Sequence, residues 1–213
     1  MTSTSKAVAI WPERNGLSIG DINGIIHFEQ LELTSGVLVT FDLKGFLPYS
    51  TYAVHIHEGR FRNAKQLEKG CMSLKGHFNP FSRKHGSIHN DNPNERHVGD
   101  LCNNITSDSK GQVKMSYIDP LLSLDKKAAN YIGNRSVVIH TGTDDLGRQG
   151  RNIYAKGLVP YNDMTPEELR VTTGLNTNGN ITKTDIQKLI KDSLVTGNAG
   201  GRMACTNIEP LHA

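Results

Sequence analysis

Apolar and polar residues alternate over several short stretches of the chain, with turn residues between them. A period of two is the signature of a strand with one face buried. Gly36-Val37-Leu38-Val39-Thr40-Phe41-Asp42-Leu43 shows it most cleanly. Strands are also predicted over Ala7–Trp11, Gly24–Gln30, Tyr52–His57, Gln112–Ile118, Arg135–His140 and Arg202–Ile208. Between Glu58 and Asn94 the pattern stops, and Gly59, Gly70, Gly76, Pro80, Gly86 and Pro93 punctuate a long loop. Loops of that length are usually functional sites or disorder. A second long non-strand region opens at Asp144-Asp145-Leu146-Gly147. About eight short strands with two long loops predict an all-β sandwich or barrel.

Composition narrows this further. The chain has 213 residues, enough for one domain with a sizeable core. The formal net charge is +3, with both signs mixed along the chain, so nucleic acid is not an expected partner. No stretch approaches a membrane span, and Met1–Lys6 lacks the apolar run of a signal peptide. A cytoplasmic address is the expectation. Three cysteines leave at least one thiol unpaired within the chain, and a disulfide in such a compartment needs a special reason to persist.

The candidate chemistry lies in the histidines. His55 and His57 sit two apart in a predicted strand, so both point to one face and can present nitrogens to one metal ion. His77, His85, His97 and Asp100 follow in the loop region, and His140 closes the strand Val137–His140. Three imidazoles and a carboxylate suit tetrahedral zinc. His55, His57 and His140 form a nitrogen-rich set suited to copper. Spacing alone leaves open which histidine serves which ion. His27, inside the second strand, reads as structural.

Seven segments in order carry a resemblance: Ala53–Glu58, Gly76–Pro80, Ser82–Gly86, Glu95–Leu101, Val137–His140, Asp144–Gly147 and Gly197–Cys205. Together they are similar to the copper/zinc superoxide dismutase family. The resemblance implies an eight-stranded Greek-key β-barrel, an immunoglobulin-like sandwich with long metal-site loops, and a homodimer. It implies dismutation of superoxide to dioxygen and hydrogen peroxide by copper cycling between Cu(II) and Cu(I), with one structural zinc per subunit. Copper would be held by His55, His57, His77 and His140; zinc by His77, His85, His97 and Asp100. His77 would bridge the two ions and take up a proton during turnover. Asp144 would link His55 to His85, and Arg202 would attract the anion at the channel mouth. Cys71 and Cys205 would form the intrasubunit disulfide, leaving Cys102 a free thiol. A copper donor protein is a further implied partner.

Some features depart from the family. Extra residues lie between His57 and Cys71 and between His85 and His97, the latter including His89; the Arg-Lys-His-Gly context favours His85 as the ligand. Val195 stands where the family has a lysine, leaving Arg202 with help from Lys191. Asp145 reads as a solvated turn residue. Across residues 1–213, read as a single domain, the largest departure is a helical insertion at about 151–194 in the second channel loop. Thr165, Pro166 and Glu168 predict a helix over Pro166–Val171. Thr184 is expected to cap a second, with Ile186, Leu189 and Ile190 as an apolar stripe against the barrel. Between them, Gly174–Asp185 has the outline of an EF-hand loop, but with one carboxylate it is expected to bind calcium very weakly.

Overall fold

The computed structural model describes residues 5–11, 17–18, 21–32, 36–89, 92, 94–153, 157–173 and 180–211. The strands are β1 (Lys6–Trp11), β2 (Leu17–Ser18), β3 (Asn23–Gln30), β4 (Val37–Lys44), β5 (Thr51–His57), β6 (Asn104–Thr106), β7 (Gln112–Asp119), β8 (Ser136–His140), β9 (Gly150–Ile153), β10 (Gly157–Pro160), β11 (Arg202–Asn207) and β12 (Glu209–Leu211). They form two antiparallel five-stranded sheets, ordered β12-β1-β3-β4-β7 and β2-β11-β8-β5-β6, and a separate β9–β10 hairpin. The short β2 and β12 sit at sheet edges; the eight remaining sheet strands make the sandwich.

Alternation explains the packing. In β4, Val37, Val39, Phe41 and Leu43 turn inward and Asp42 and Lys44 outward. Their partners are Ile26 and Phe28 of β3, Val54 and Ile56 of β5, and Val137 and Ile139 of β8, all in one core between the sheets. Such side chains contribute about 1.5–3 kcal/mol each on full burial.

Two helical elements lie in the stretch that reads as a bare loop. A short helix, α1 (Ala64–Glu68), is capped by Asn63, whose Oδ1 accepts from the Gln66 N–H at 3.0 Å. A 3-10 turn, Gly70–Leu74, then carries Cys71 against the outer face of the β11 sheet.

The insertion contains the β9–β10 hairpin, a 3-10 turn over Tyr161–Asp163, and two helices, α2 (Pro166–Thr173) and α3 (Lys183–Thr196). α2 begins with the expected capping box: Thr165 Oγ1 accepts from Glu168 N–H, and Glu168 Oε2 accepts from Thr165 N–H at 2.8 Å. α3 starts earlier than expected. Its cap is Thr182 rather than Thr184, because Asp185 lies three residues after Thr182 and returns the second bond of the box at 2.8 Å. The apolar stripe of α3 also packs differently from the expectation. Leu189, with Ile186 and Ile190 beside it, faces Tyr161, Met164 and Leu169 in a separate apolar cluster, not the sandwich core. The first half of the EF-hand-like stretch, residues 174–179, lies outside the described residues. No helix among the described residues is long and apolar enough to cross a membrane.

Candidate metal centre

Strand geometry sets the first half of the centre. In β5, Tyr52, Val54 and Ile56 enter the core, so His55 and His57 project from the opposite face. Yet β5 is buried on both faces from Tyr52 to His57, because the 58–104 loop folds over it. β8 runs antiparallel beside it, with His55 opposite Val138 and His57 opposite Ser136. His140, at the end of β8, therefore lies on the same covered face, its ring centroid 4.8 Å from that of His55. A bridge between His57 and His77 brings the loop onto the strand.

His77, His85 and His97 gather around Asp100. Their Nδ1 atoms stand 3.0, 2.9 and 3.1 Å from its Oδ1. Oδ2 is held apart by the Gly86 and His97 N–H groups, at 3.0 and 2.9 Å. Asp100 Oδ1 is hydrogen-bonded to His77 and His85, while the buried Nδ1 of His97 has no hydrogen-bond partner. Four donors around zinc at about 2.0–2.1 Å would stand about 3.3 Å apart along a tetrahedron's edges, so a zinc ion fits these four atoms. His97 is itself fixed from behind. Arg96, fully buried, donates to the His97 carbonyl at 3.3 Å and to Asp119 of β7 at 2.6 Å.

His55, His57, His77 and His140 form the second cluster, with ligand atoms all within 4.8 Å of one another. Hydrogen bonds indicate which nitrogen each has available. His55 Nε2 is taken by Asp144 at 2.6 Å, and its buried Nδ1 has no hydrogen-bond partner. His57 Nδ1 donates to the Lys75 carbonyl at 2.9 Å, leaving Nε2, which faces His140 Nε2 at 3.4 Å. His77 belongs to both clusters, with Nδ1 toward Asp100 and Nε2 remaining. Four convergent nitrogens fit copper.

Electrostatics favour neutral imidazoles at His57, His77 and His140. Burial, then the neighbouring His55, pushes His77 down to about 3. Burial, then His55 and His77, takes His140 down to about 2. Burial, then His77, Arg202 and His140, holds His57 well below its ordinary value. His85 is the opposite case. Burial opposes its charge, but Asp100 and Asp144 on its two nitrogens outweigh that and raise it to about 10. Burial would likewise raise Asp100, and His85 with the hydrogen bonds of His77 and His85 holds it well below the carboxylate range.

Asp144 joins the clusters. Oδ2 accepts from His55 and Oδ1 from His85 Nε2 at 2.9 Å. A carboxylate behind a ligand ring fixes its tautomer and orientation. Asn103 and Asn104, which sequence reasoning missed, hold Asp144 in turn, the first by its carboxylate and the second by its backbone. Asn103 Nδ2 donates to Asp144 Oδ2 at 3.2 Å; Asn104 accepts from Asp144 N–H at 2.8 Å and donates to its carbonyl at 3.0 Å. Their place directly after the Asp100 turn was the available signal.

Asp145 corrects the reading of a solvated turn. It is 4% exposed and accepts from the Tyr161 hydroxyl, Ser193 Oγ, Asn198 Nδ2 and Gly147 N–H. Tyr161, Ser193 and Asn198 are distant in sequence and reach Asp145 only once the stretch between them folds.

Arg202 pairs with His140 across β11 and β8, beside a register shift that separates it from Ala204. Such bulges re-aim side chains near functional sites. Its guanidinium donates to the Cys71 carbonyl at 2.7 Å and to the Lys75 carbonyl. Cys71 is disulfide-bonded to Cys205, and Cys102 is free and buried, its thiol pushed up to about 12 by burial. It stays a neutral thiol rather than a nucleophile. His27 and His89 are exposed and outside both clusters.

The sequence and the fold also match known proteins. The family model described as copper/zinc superoxide dismutase (SODC) matches residues 22–159. A "Superoxide dismutase [Cu-Zn]" of Yarrowia lipolytica is 36% identical, with 86% of this chain and 87% of that protein covered. One from Paramecium bursaria Chlorella virus 1 is 35% identical over 70% of this chain and 74% of its own. Among solved structures, the clock protein EA4 superposes with a TM-score of 0.65 at 28% identity, covering 99% of this chain and 98% of the other.

Proposed function

Since the chain belongs to the copper/zinc superoxide dismutase family, we propose that its two clusters divide the ions as follows. His55, His57, His77 and His140 hold copper; His77, His85, His97 and Asp100 hold zinc, with His77 shared. Residues 1–213 form one dismutase domain carrying the 151–194 insertion. The reaction is the dismutation of superoxide to dioxygen and hydrogen peroxide. The membership of His77 in both clusters is the observation that carries this reading. A homodimer and a copper donor protein belong to it as well and rest on the family alone.

Bound copper would supply a one-electron couple for the two half-reactions, and zinc would supply fixed charge and geometry. The chain's residues do the rest. Asp144 holds His55 through Nε2, so that Nδ1 would be the atom left to ligate copper. Lys75 does the same for His57 through its carbonyl, leaving Nε2 as donor. His77 can carry a proton on Nε2 between the two half-reactions while Nδ1 stays on the zinc side. Arg202, tethered by two carbonyls, presents a fixed cation to the small anion. Two superoxides and two protons balance one dioxygen and one hydrogen peroxide.

Metal analysis beside superoxide consumption tests the reading. One copper and one zinc per chain are expected, with activity far above a His140→Ala variant. Arg202→Glu should keep copper and lower the second-order rate at least about tenfold, since opposite charge now repels the substrate. The rate should depend only shallowly on salt, because Val195 adds no charge. Copper and zinc bound without activity above the His140→Ala blank would leave a metal-binding protein, not an enzyme.

Loading of the zinc site should also release a proton. Below about 10, metal-free His85 is charged and donates to Asp100 and Asp144 from its two nitrogens. To ligate through Nδ1 it must give that proton up while keeping the one on Nε2. Calorimetry at pH 7 in buffers of different ionisation enthalpy should therefore count about one proton released at His85 per zinc, with the release disappearing above about pH 10. No release at pH 7 would contradict the ligand assignment.

A further inference from the structure

The insertion touches the centre through its own backbone. The His85 N–H donates to the Leu194 carbonyl in the last turn of α3, at 2.9 Å. The helix then stops at Gly197, in a left-handed conformation with φ of 64°. No other residue fits there: a Cβ on Gly197 would collide with Asp144 Oδ1 and His85 Nε2, and a positive φ is itself costly without glycine. The end of α3 is thus seated on the Asp144–His85 link.

Asp145 fastens that end. Its N–H donates to the Gly197 carbonyl at 2.8 Å. Its Oδ1 accepts from Ser193 in the last turn of α3, and its Oδ2 from Tyr161 and from Asn198 just beyond the helix, at 2.9, 2.6 and 3.0 Å. Asn198 also donates to the Leu189 carbonyl at 2.9 Å, and Ser193 Oγ accepts from Gln149 N–H at 2.9 Å. Among the described residues, Asp145 belongs to none of the clusters whose atoms could hold a metal ion. Asp145 nevertheless adjoins Asp144, and its side chain closes on the helix that bonds His85.

On the reading that His85 holds zinc, we propose that the insertion is a clamp on that ligand, with Asp145 as its positioning residue. Tyr161, Ser193 and Asn198 complete the clamp.

The test uses the full-length chain loaded with zinc. Zinc release to the chelator 4-(2-pyridylazo)resorcinol is followed at fixed pH for Asp145→Asn, Tyr161→Phe and Ser193→Ala. Release should be about tenfold faster or more, the usual scale for partners behind a metal ligand. With cobalt(II) in the zinc position, the visible bands should shift, a response that weakening of a remote helix alone would not produce. Glu168→Ala, which breaks the α2 cap and removes no bond to Asp145, Ser193 or Asn198, should leave both readouts unchanged. Tyr161→Phe removes a single hydroxyl and decides the matter if Asp145→Asn does not fold. Unchanged release and unchanged cobalt bands in Tyr161→Phe and Ser193→Ala would overturn the clamp while leaving the zinc assignment intact. An unmodified chain that binds no zinc would overturn the assignment and the clamp together.

Discussion

Replacing His77 with alanine should empty both metal positions and lower activity by more than about 100-fold, since even a partner behind a ligand costs 10–100-fold in affinity or activity. The expectation follows from its two nitrogens. Nδ1 sits among the atoms around Asp100, and the ring also belongs to the cluster of His55, His57 and His140. Loss of the ring removes one donor from each set at once. His85→Ala should be milder, because His85 contributes to only one of the two proposed sites. It should lose zinc, keep most copper and retain part of the activity. Elemental analysis of both variants beside superoxide consumption reads this directly. Full activity in His77→Ala would end the shared-ligand scheme.

The second large effect concerns stability. Cys71→Ser opens a disulfide that closes a separation of 134 residues. Loop-closure entropy for a ring of that size is about 5 kcal/mol. For a chain of this length that is about 10–20 °C in the unfolding temperature. The bond also anchors the small apolar cluster of Phe61, Leu74 and Val138, and the Cys71 carbonyl holds Arg202. Scanning calorimetry should therefore show the fall, and the rate should drop with it as the guanidinium loses its tether. Cys102→Ser should change neither strongly. Disulfide mapping that found Cys102 bridged to either partner would refute the pairing.

The sandwich was readable because its inward residues alternate without interruption, as in Val37–Lys44, and a period of two has no rival explanation there. That these histidines would gather was readable because six of nine fall at strand ends and in one glycine-punctuated loop region. Short elements were not. α1 has five residues and no apolar stripe, so only its Asn63 cap could have signalled it. The start of α3 was misplaced between two threonines, although Asp185 three residues after Thr182 gave the better frame. Asp145 was misread for a deeper reason. An Asp-Asp-Leu-Gly run looks solvated until Tyr161, Ser193 and Asn198 arrive from across the insertion, and no local pattern encodes their arrival.

The role of Asn104 bears on how the chain can be handled by a cell. Asn104-Ile105-Thr106 is an acceptor sequence for N-linked glycan. The atom a glycan would use, Nδ2, is the one that donates to the Asp144 carbonyl. Attachment before folding would put a bulky sugar between Asn104 and the residue that links His55 to His85. Attachment after folding would require that hydrogen bond to open. Expression through a secretory route therefore sets sugar transfer against closure of the centre, and substitution of Thr106, 29 residues C-terminal to His77, removes the acceptor without touching Asn104.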